Sequence, residues 1–274
     1  MDYYLLEKVA SSITKITDIT GVYAYLIEGN NKAALIDTCC GIGDISLIVK
    51  GISNLPVTVI CTHGHVDHAG GTFGFDDVYL SRSDLGLVQE HTTVDFRKCY
   101  VDSFVTPDSY ALTDFVPQRK ADYQQLENRS LFDLGGITLE AVSVQGHTQG
   151  MTCVLIKELR TLIIGDACNS RTFLFFPEAS SVEQYKQNLL ALKNEDKKFD
   201  TVWFSHGNYS GDKTVIDEAI ALCGEIMAGS SDNIEFEFMG EVAYLAKKTD
   251  QNYSRLDGKT ANIVFNPKRV FEKH

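Results

Sequence analysis

The chain has 274 residues, of which 44% are hydrophobic and 23% are charged, a composition typical of a globular protein rather than a disordered one. Its formal net charge of −12 makes it a poor candidate for a protein that binds nucleic acid over its whole surface. It contains no apolar run of the roughly 18 residues that a membrane helix needs, and its N-terminus lacks the basic region of a secretory signal.

The first part of the chain is predicted to form short strands, a helix and a buried strand. Two β-prone runs are separated by the turn-forming residues 28–31, which is typical of a hairpin. A polar segment from about residue 83 to residue 126 has no strand rhythm and is interpreted as a helical insertion. The predicted elements are strands at 22–27 and 33–36, a helix at 44–50 and a strand at 57–61.

The second part returns to strands that alternate with helices. Ser180 and Glu183 have the spacing of a capping box and predict the start of a helix with an apolar side formed by Leu189, Leu190 and Leu192. The other predicted elements are strands at 137–144, 152–156, 161–164, 202–204, 236–248 and 261–265 and a helix at 214–227. Because no repeat or linker interrupts this order, we expect a single domain in which helices cover sheets.

The segment directly after the predicted strand at 57–61 concentrates metal-ligating side chains. His63, His65, Asp67 and His68 lie within six residues, although the whole chain has only 7 histidines. A helix would distribute these positions around its circumference, whereas a loop that leaves a strand can direct them to one centre. Imidazole and carboxylate ligands together suit zinc, iron or manganese.

Three more candidate ligands each follow a strand-like run and lie next to glycine. They are His147, Asp166 and His206. With the first segment they give five histidines and two aspartates. Such a set is too large for one tetrahedral ion and suits two ions that share a bridging carboxylate.

These segments resemble the metallo-β-lactamase-fold hydrolases in order and spacing over about residues 20–210. The family's H-x-H-x-D-H signature is present at 63–68, its G-H-T-x-G segment at 146–150, its bridging aspartate at 166 and its last histidine at 206. The resemblance implies an α/β (α+β) fold, namely a four-layer αβ/βα sandwich with metals at the edge of two sheets. It also implies a single hydrolase domain over residues 1–274.

The resemblance assigns a role to each candidate ligand. His63, His65 and His147 would bind the first metal ion, Asp67, His68 and His206 would bind the second, and Asp166 would bridge them. Asp37 matches an aspartate that supports the metal loop in this family. The expected cofactors are two divalent ions, zinc first, with iron or manganese as alternatives.

Two such ions lower the pKa of a shared water, and the bridging hydroxide is expected to attack a carbonyl carbon. Asp67 and Asp166 are therefore predicted catalytic residues, with Asp67 orienting the water. No G-x-S-x-G motif is present, so no serine nucleophile is expected. The expected reaction is hydrolysis of a small-molecule thioester, ester or lactone, as in the glyoxalase II-like and lactonase-like branches of the family.

Three residues outside the ligand set are predicted to contact the substrate. Asn169 stands three residues after the bridging aspartate, where the lactonases carry a tyrosine, and its amide can donate to an oxyanion. Arg171 suits a carboxylate or a phosphate, and Tyr209 is a candidate wall residue. The aromatic residues of the insertion are expected to line an apolar pocket on the substrate side.

Two other functions stay open at this point. A phosphodiesterase or nuclease would need a basic channel, and an iron-dependent redox member of the same fold would need an electron partner. The 7 cysteines include no C-x-x-C pair, which predicts reduced thiols and a cytoplasmic protein. We expect a small-molecule substrate, and neither a nucleic acid nor a membrane, as the partner; the sequence does not specify an oligomeric state.

Overall fold

The computed structural model describes residues 3–272. The chain divides into two compact units, each of which is described by itself. The first covers the described residues of Met1–Ala141 together with Ile156–Glu158, and the second covers Val142–Leu155 and the described residues of Leu159–His274. The single hydrolase domain over residues 1–274 stays a prediction.

The secondary structure follows the predicted order of strands and helices. The strands are β1 (Tyr4–Ala10), β2 (Ile13–Asp18), β3 (Tyr23–Glu28), β4 (Ala33–Ile36), β5 (Val57–Ile60), β6 (Val78–Leu80), β7 (Gln124–Gln125), β8 (Leu131–Asp133), β9 (Thr138–Ser143), β10 (Thr152–Ile156), β11 (Thr161–Ile163), β12 (Thr172–Leu174), β13 (Thr201–Trp203), β14 (Ser210–Asp212), β15 (Ile234–Phe238), β16 (Glu241–Leu245) and β17 (Ile263–Phe265). The α-helices are α1 (Ile45–Ile52), α2 (Val66–Ala69), α3 (Leu85–His91), α4 (Val94–Asp102), α5 (Val182–Lys193) and α6 (Thr214–Met227). Within residues 3–272, none of the helices is long and apolar enough to cross a membrane.

The first unit is built on a seven-stranded sheet in which β1 to β7 follow one another in chain order. The pairs from β1 to β4 are antiparallel, whereas β4, β5, β6 and β7 are parallel neighbours. Ile36 of β4 is in register with Ile60 of β5, so the residues that follow these two strands emerge side by side at one edge of the sheet. This edge carries Asp37 next to the histidine-rich segment.

Helix α1 covers the first sheet and lies close to the predicted helix at 44–50. Asp44 caps its N-terminus by accepting a hydrogen bond of 2.9 Å from the Ser46 amide, which satisfies one of the free N–H groups of the first turn. Ile45 and Val49 of the helix are buried in the same cluster as Leu35 of the sheet. The helix therefore buries one apolar face against the strands that lead to the site.

The insertion at 83–126 is helical, as predicted, and contains α3 and α4. Short 3₁₀ turns follow, and the segment returns to the sheet at β7. Thr93 caps α4 with a hydrogen bond of 3.3 Å from the Phe96 amide to its hydroxyl oxygen.

The second unit contains strands in the order β14-β13-β11-β10 and a four-stranded sheet in the order β12-β17-β16-β15. Strands β11 and β13 are parallel, with Ile163 in register with Trp203, so the loops after them leave the sheet at the same edge. Helices α5 and α6 bury Leu189 and Ile216 in one cluster with these strands. The edge after β11 and β13 carries Asp166 and His206.

Some predicted boundaries were wrong. The cap of α5 is Ser181, whose hydroxyl accepts from the Gln184 amide at 3.1 Å, rather than Ser180. The Ser180 hydroxyl instead accepts from Gln149 Nε2 at 3.1 Å, and the Glu183 amide donates to the carbonyl of Val270 at 2.9 Å, so the predicted capping bond does not form. Leu190 on this helix is 39% exposed and lies outside its buried side.

The strand predicted at 236–248 is a hairpin of β15 and β16. Met239 and Gly240 form its turn, both with positive φ (49° and 81°), so the extended run is interrupted there. Strands β1 and β2 add two members to the first sheet that precede the strand predicted at 22–27.

Candidate metal centre

The first group of candidate ligands lies immediately after β5 and is fully inside the first unit. His63 and His68 have no exposed surface, and His65 and Asp67 are almost as deeply buried. His63 Nε2 lies 3.0 Å from His65 Nδ1, and His68 Nε2 lies 3.6 Å from Asp67 Oδ2. The rings of His63 and His68 have their centroids 4.0 Å apart. We call these four residues the first donor cluster.

The backbone of this segment is a loop only in its first half. The expectation of a loop throughout was wrong, because Val66–Ala69 forms the single helical turn α2 and His65 stands at its N-cap with an extended conformation. Asp67 and His68 are consecutive on that turn, His65 is its N-cap, and His63 precedes it. The change of backbone conformation at His65 lets all four side chains converge within a short stretch.

Asp37 supports the first donor cluster from the neighbouring strand end. Its Oδ1 accepts from the Thr62 amide at 2.7 Å, and its Oδ2 accepts from His68 Nδ1 at 2.8 Å. Asp37 has a φ of 62°, a left-handed conformation that Asp tolerates better than most residues. These are the contacts that a residue supporting the metal loop requires; its role in metal binding stays a prediction.

Hydrogen bonding assigns the protons of two imidazoles in the first cluster. In the neutral imidazole, donation from Nδ1 to Asp37 leaves the lone pair of His68 on Nε2. The Thr62 hydroxyl donates to Asp37 and therefore accepts from His63 Nδ1, at 3.0 Å. His63 Nε2 is then also a lone-pair nitrogen. Both rings present the form of imidazole that binds a metal ion.

The second group consists of His147, Asp166 and His206, each on a different loop of the second unit. Asp166 Oδ2 lies 3.6 Å from His147 Nε2 and 3.4 Å from His206 Nε2. His147 donates from Nδ1 to the carbonyl of Phe173 at 2.9 Å, so its Nε2 also carries the lone pair. His206 is the most accessible of the three, with 33% of its side chain exposed. We call these residues the second donor cluster.

Asn169, the candidate oxyanion donor, contacts the second donor cluster directly. Its Nδ2 donates to Asp166 Oδ1 at 3.2 Å, and its Oδ1 accepts from the Arg171 amide at 2.8 Å. The side-chain amide is therefore used to hold the carboxylate of Asp166. Donation to a substrate oxyanion stays a prediction.

The other two predicted substrate contacts have aromatic neighbours. The Arg171 guanidinium lies over the ring of Tyr253 at 4.1 Å, and Tyr209 packs edge-on against Trp203 with ring centroids 6.0 Å apart. Both residues lie on loops next to ligand candidates of the second unit. Their part in substrate binding stays a prediction.

The insertion contributes contacts to the first donor cluster that the sequence did not reveal. The Tyr100 hydroxyl donates to Asp67 Oδ2 at 2.7 Å, and the ring of His91 stacks on that of His65 with centroids 5.1 Å apart. Phe96 stacks in turn on His91 at 4.0 Å. The aromatic residues expected to line a pocket thus include two that support the ligand segment. The only signal in the sequence was the spacing of Arg97 and Tyr100 on one face of α4.

Cysteine ligands are disfavoured near the first cluster. Burial raises the pKa of the Cys39, Cys40 and Cys61 thiols well above the ordinary value, so they stay protonated at neutral pH. A protonated thiol is a poor ligand because metal binding needs the thiolate. Histidine and aspartate are therefore the relevant donors.

Both clusters have the donor chemistry of a divalent metal site. In each, a lone-pair nitrogen faces a carboxylate oxygen, since His68 Nε2 lies 3.6 Å from Asp67 Oδ2 and His147 Nε2 lies 3.6 Å from Asp166 Oδ2. These separations exceed the usual 2.7–3.2 Å of an N–H···O hydrogen bond, and both atoms carry negative partial charge. A cation bound by both atoms relieves that repulsion, and imidazole with carboxylate suits first-row divalent ions. The residues present therefore fit a metal site.

The family model described as the metallo-beta-lactamase superfamily matches residues 17–200, which is more than half of the chain. The chain belongs to the metallo-beta-lactamase superfamily. Members of this superfamily are generally hydrolases and usually bind divalent metal ions. The fold class predicted from the sequence, a mixed α/β protein of the metallo-β-lactamase fold, is confirmed.

This superfamily member is also similar to a human acyl-coenzyme A thioesterase, MBLAC2. The two are 23% identical over 176 residues, which cover 59% of this chain and 63% of the human protein. The chain thus matches less than two thirds of the length of that relative.

Solved structures show the same fold at low sequence identity. A metallo-beta-lactamase from Pontibacter korlensis is 20% identical with a TM-score of 0.57, covering 80% of this chain and 97% of that one. The sec-alkylsulfatase Pisa1 from Pseudomonas sp. is 13% identical with a TM-score of 0.63, covering 82% of this chain and 42% of that one. At these identities the likeness concerns the fold alone.

Proposed function

We propose that this protein is a dinuclear metal-dependent hydrolase that cleaves a small-molecule thioester, with esters and lactones as the next substrate classes. Membership of the superfamily supports hydrolysis. The similarity to an acyl-coenzyme A thioesterase favours a thioester among the classes considered. A small molecule, and neither a nucleic acid nor a membrane, is the proposed partner.

The position of Asp166 carries the proposal of two ions. One of its oxygens lies within 3.6 Å of the lone-pair nitrogen of His147 and 3.4 Å from His206 Nε2. The family pattern assigns these two histidines to different metal ions. A carboxylate oxygen close to both is what a bridging ligand requires.

The proposed ligand set is the one that the family resemblance implies. His63, His65 and His147 would hold the first ion, Asp67, His68 and His206 would hold the second, and Asp166 would be a ligand of both. Zinc is the proposed metal because imidazole and carboxylate ligands suit it; iron and manganese are the alternatives.

Bound divalent ions supply an activated water and positive charge beside the scissile carbonyl. The residues of this chain provide the orientation. Asn169 holds Oδ1 of Asp166, which keeps Oδ2 turned toward His147 and His206. Asp67 would orient the attacking water as a hydrogen-bond acceptor. Asp37 holds the His68 ring so that the lone pair on His68 Nε2 points away from the Asp37 carboxylate.

The first experiment measures thiol release from a thioester panel. Zinc-loaded protein is given S-lactoylglutathione and several acyl-coenzyme A esters, and free thiol is measured. Asp166→Ala should lose activity, whereas Asp200→Ala, which removes an exposed aspartate paired with Arg160, should retain it. Activity in wild type and Asp200→Ala alone would support the proposal.

Absence of release would contradict the thioester proposal if the protein is shown to hold two ions per chain. The same preparation would then be tested on lactones, and next on phosphodiesters with a surface-charge comparison. A visible absorption spectrum and metal analysis of protein purified without added metal would reveal an iron-dependent redox member instead.

The cytoplasm is the proposed compartment. All seven cysteines are free thiols, and six of them are buried. This is the state expected in a reducing environment.

A further inference from the structure

We infer that Tyr100 is a positioning residue that sets the affinity of the second metal ion through its hydrogen bond to Asp67. The inference rests on the proposed function, because it needs Asp67 to be a ligand of that ion. It gives the insertion, which lies outside the ligand motif, a role in holding a metal ligand in place.

The contact itself is short and protected from water. The Tyr100 hydroxyl lies 2.7 Å from Asp67 Oδ2, and both residues are buried, with 8% and 6% of their surface exposed. A phenol that donates to a carboxylate makes a charge-assisted hydrogen bond, which is stronger than a neutral one. The same Asp67 oxygen lies 3.6 Å from His68 Nε2. The hydroxyl therefore fixes the oxygen that faces a neighbouring ligand.

Arg97 explains how Tyr100 reaches Asp67. It lies one turn earlier on the same face of α4 and is completely buried. Its guanidinium donates to the carbonyls of Gly41, Gly70 and Val116 at 3.3, 3.2 and 2.6 Å. Gly70 directly follows the helical turn that carries Asp67, so Arg97 fixes α4 against the end of the ligand segment.

Two further contacts join the insertion to the same segment. Asp84 accepts from the Gly64 amide at 2.9 Å, between the first two histidines of the motif. His91 stacks on His65 at a ring angle of 17°. Gly64, His65 and Asp67 thus each contact a different residue of the insertion. Among these contacts, that of Tyr100 is a hydrogen bond to the oxygen of a candidate ligand.

The orientation of Asp67 matters because a carboxylate on a one-turn helix can rotate about its own bonds. Partners that hydrogen-bond to metal ligands fix such rotation, and their loss typically lowers metal affinity about 10- to 100-fold. Tyr100→Phe removes the hydroxyl and keeps the ring. We expect the affinity for the second ion to fall about 10- to 100-fold, with the first ion bound as in wild type.

The matched control is Tyr110→Phe. Tyr110 lies in the same insertion and also donates its hydroxyl to an aspartate, Asp102, which is outside the ligand set. The change in composition is identical, and only the aspartate that loses its hydrogen bond differs. Tyr110→Phe should bind both ions as wild type does.

The test is a titration of metal-free protein with zinc in the presence of a chromophoric chelator, with cobalt absorption as a second readout. Far-UV circular dichroism of each metal-free variant establishes that it is folded. The expected result is selective weakening of one ion in Tyr100→Phe, with a changed cobalt spectrum. Equal binding by Tyr100→Phe and Tyr110→Phe would overturn the inference, as would equal weakening of both ions.

The result separates this inference from the proposed function. If wild type binds two ions but releases no thiol, the thioester proposal fails while the role of Tyr100 is still decided by the titration. If wild type binds a single ion, the dinuclear proposal and this inference both fail.

Discussion

The two donor clusters reach similar chemistry by different routes. The first takes four donors from six consecutive residues and buries all of them. The second takes three donors from three loops that are far apart in the sequence, and His206 is one-third exposed. The first therefore depends on supporting side chains that hold one segment, whereas the second depends on the register of β11 and β13. A cluster drawn from one segment needs neighbouring side chains that hold that segment. A cluster drawn from separate loops needs the sheet to bring those loops together.

Metal removal should have the largest effect and should distinguish the clusters. Dialysis against a strong chelator is expected to lower the proposed thioesterase activity at least about a thousandfold, or about 4 kcal/mol of transition-state stabilisation. The ion bound through His206 should leave first because that ligand is accessible to water. Metal content and activity followed over time measure this. Simultaneous loss of both ions would contradict the difference in accessibility.

The support of the first cluster is tested by Asp37→Ala. The change leaves the Thr62 amide and His68 Nδ1 buried without their acceptor, at about 1–3 kcal/mol for each group. We expect the free energy of unfolding of the metal-free protein to fall by about 3 kcal/mol or more, measured by urea denaturation. A loss below about 1 kcal/mol would show that the first cluster does not depend on this support.

Two histidine-to-alanine variants, one in each cluster, compare the clusters with the same chemical change. His68→Ala should destabilise the metal-free protein by about 1–3 kcal/mol because the buried Asp37 carboxylate loses one of its hydrogen-bond donors. His206→Ala should change stability by less than about 0.5 kcal/mol, since its side chain is partly exposed. Both should lose the second ion in the zinc titration. If the two metal-free variants had the same free energy of unfolding, the distinction between a buried and an accessible cluster would be wrong.

Asn169→Ala should have the smallest effect. It removes one hydrogen bond to Asp166, worth about 1 kcal/mol, so kcat/KM should fall about 5- to 10-fold. Steady-state kinetics with the preferred thioester measures this. A loss of more than about a hundredfold would instead favour direct donation to the oxyanion, as the sequence comparison with the lactonases suggests.

The candidate ligands could be named from the sequence because each follows a strand or lies in a dense motif, and their binding of a metal ion stays a prediction. Val57–Ile60 and Thr201–Trp203 are apolar runs whose ends could be located, and His63 and His206 follow them closely. The helix at Thr214–Met227 was predicted with its correct bounds, because its apolar spacing is regular. Local periodicity was sufficient for these elements.

Contacts between distant residues could not be predicted in the same way. The start of α5 depends on Gln149 and Val270, which bind the Ser180 hydroxyl and the Glu183 amide from distant parts of the chain. The bond from Tyr100 to Asp67 spans 33 positions and depends on how Arg97 packs α4. Asp67 lies in a motif, but nothing local to Tyr100 indicates this partner, since a tyrosine on a helix is more often only a core residue.

The Nδ1 protons of His63, His68 and His147 are each held inside the protein by a hydrogen bond. Protons in such bonds exchange slowly with water, which makes them observable in a proton NMR spectrum. Two of these signals would report on the first donor cluster and one on the second. Their shifts during a zinc titration would therefore record the order in which the rings engage a metal ion, without any substrate present.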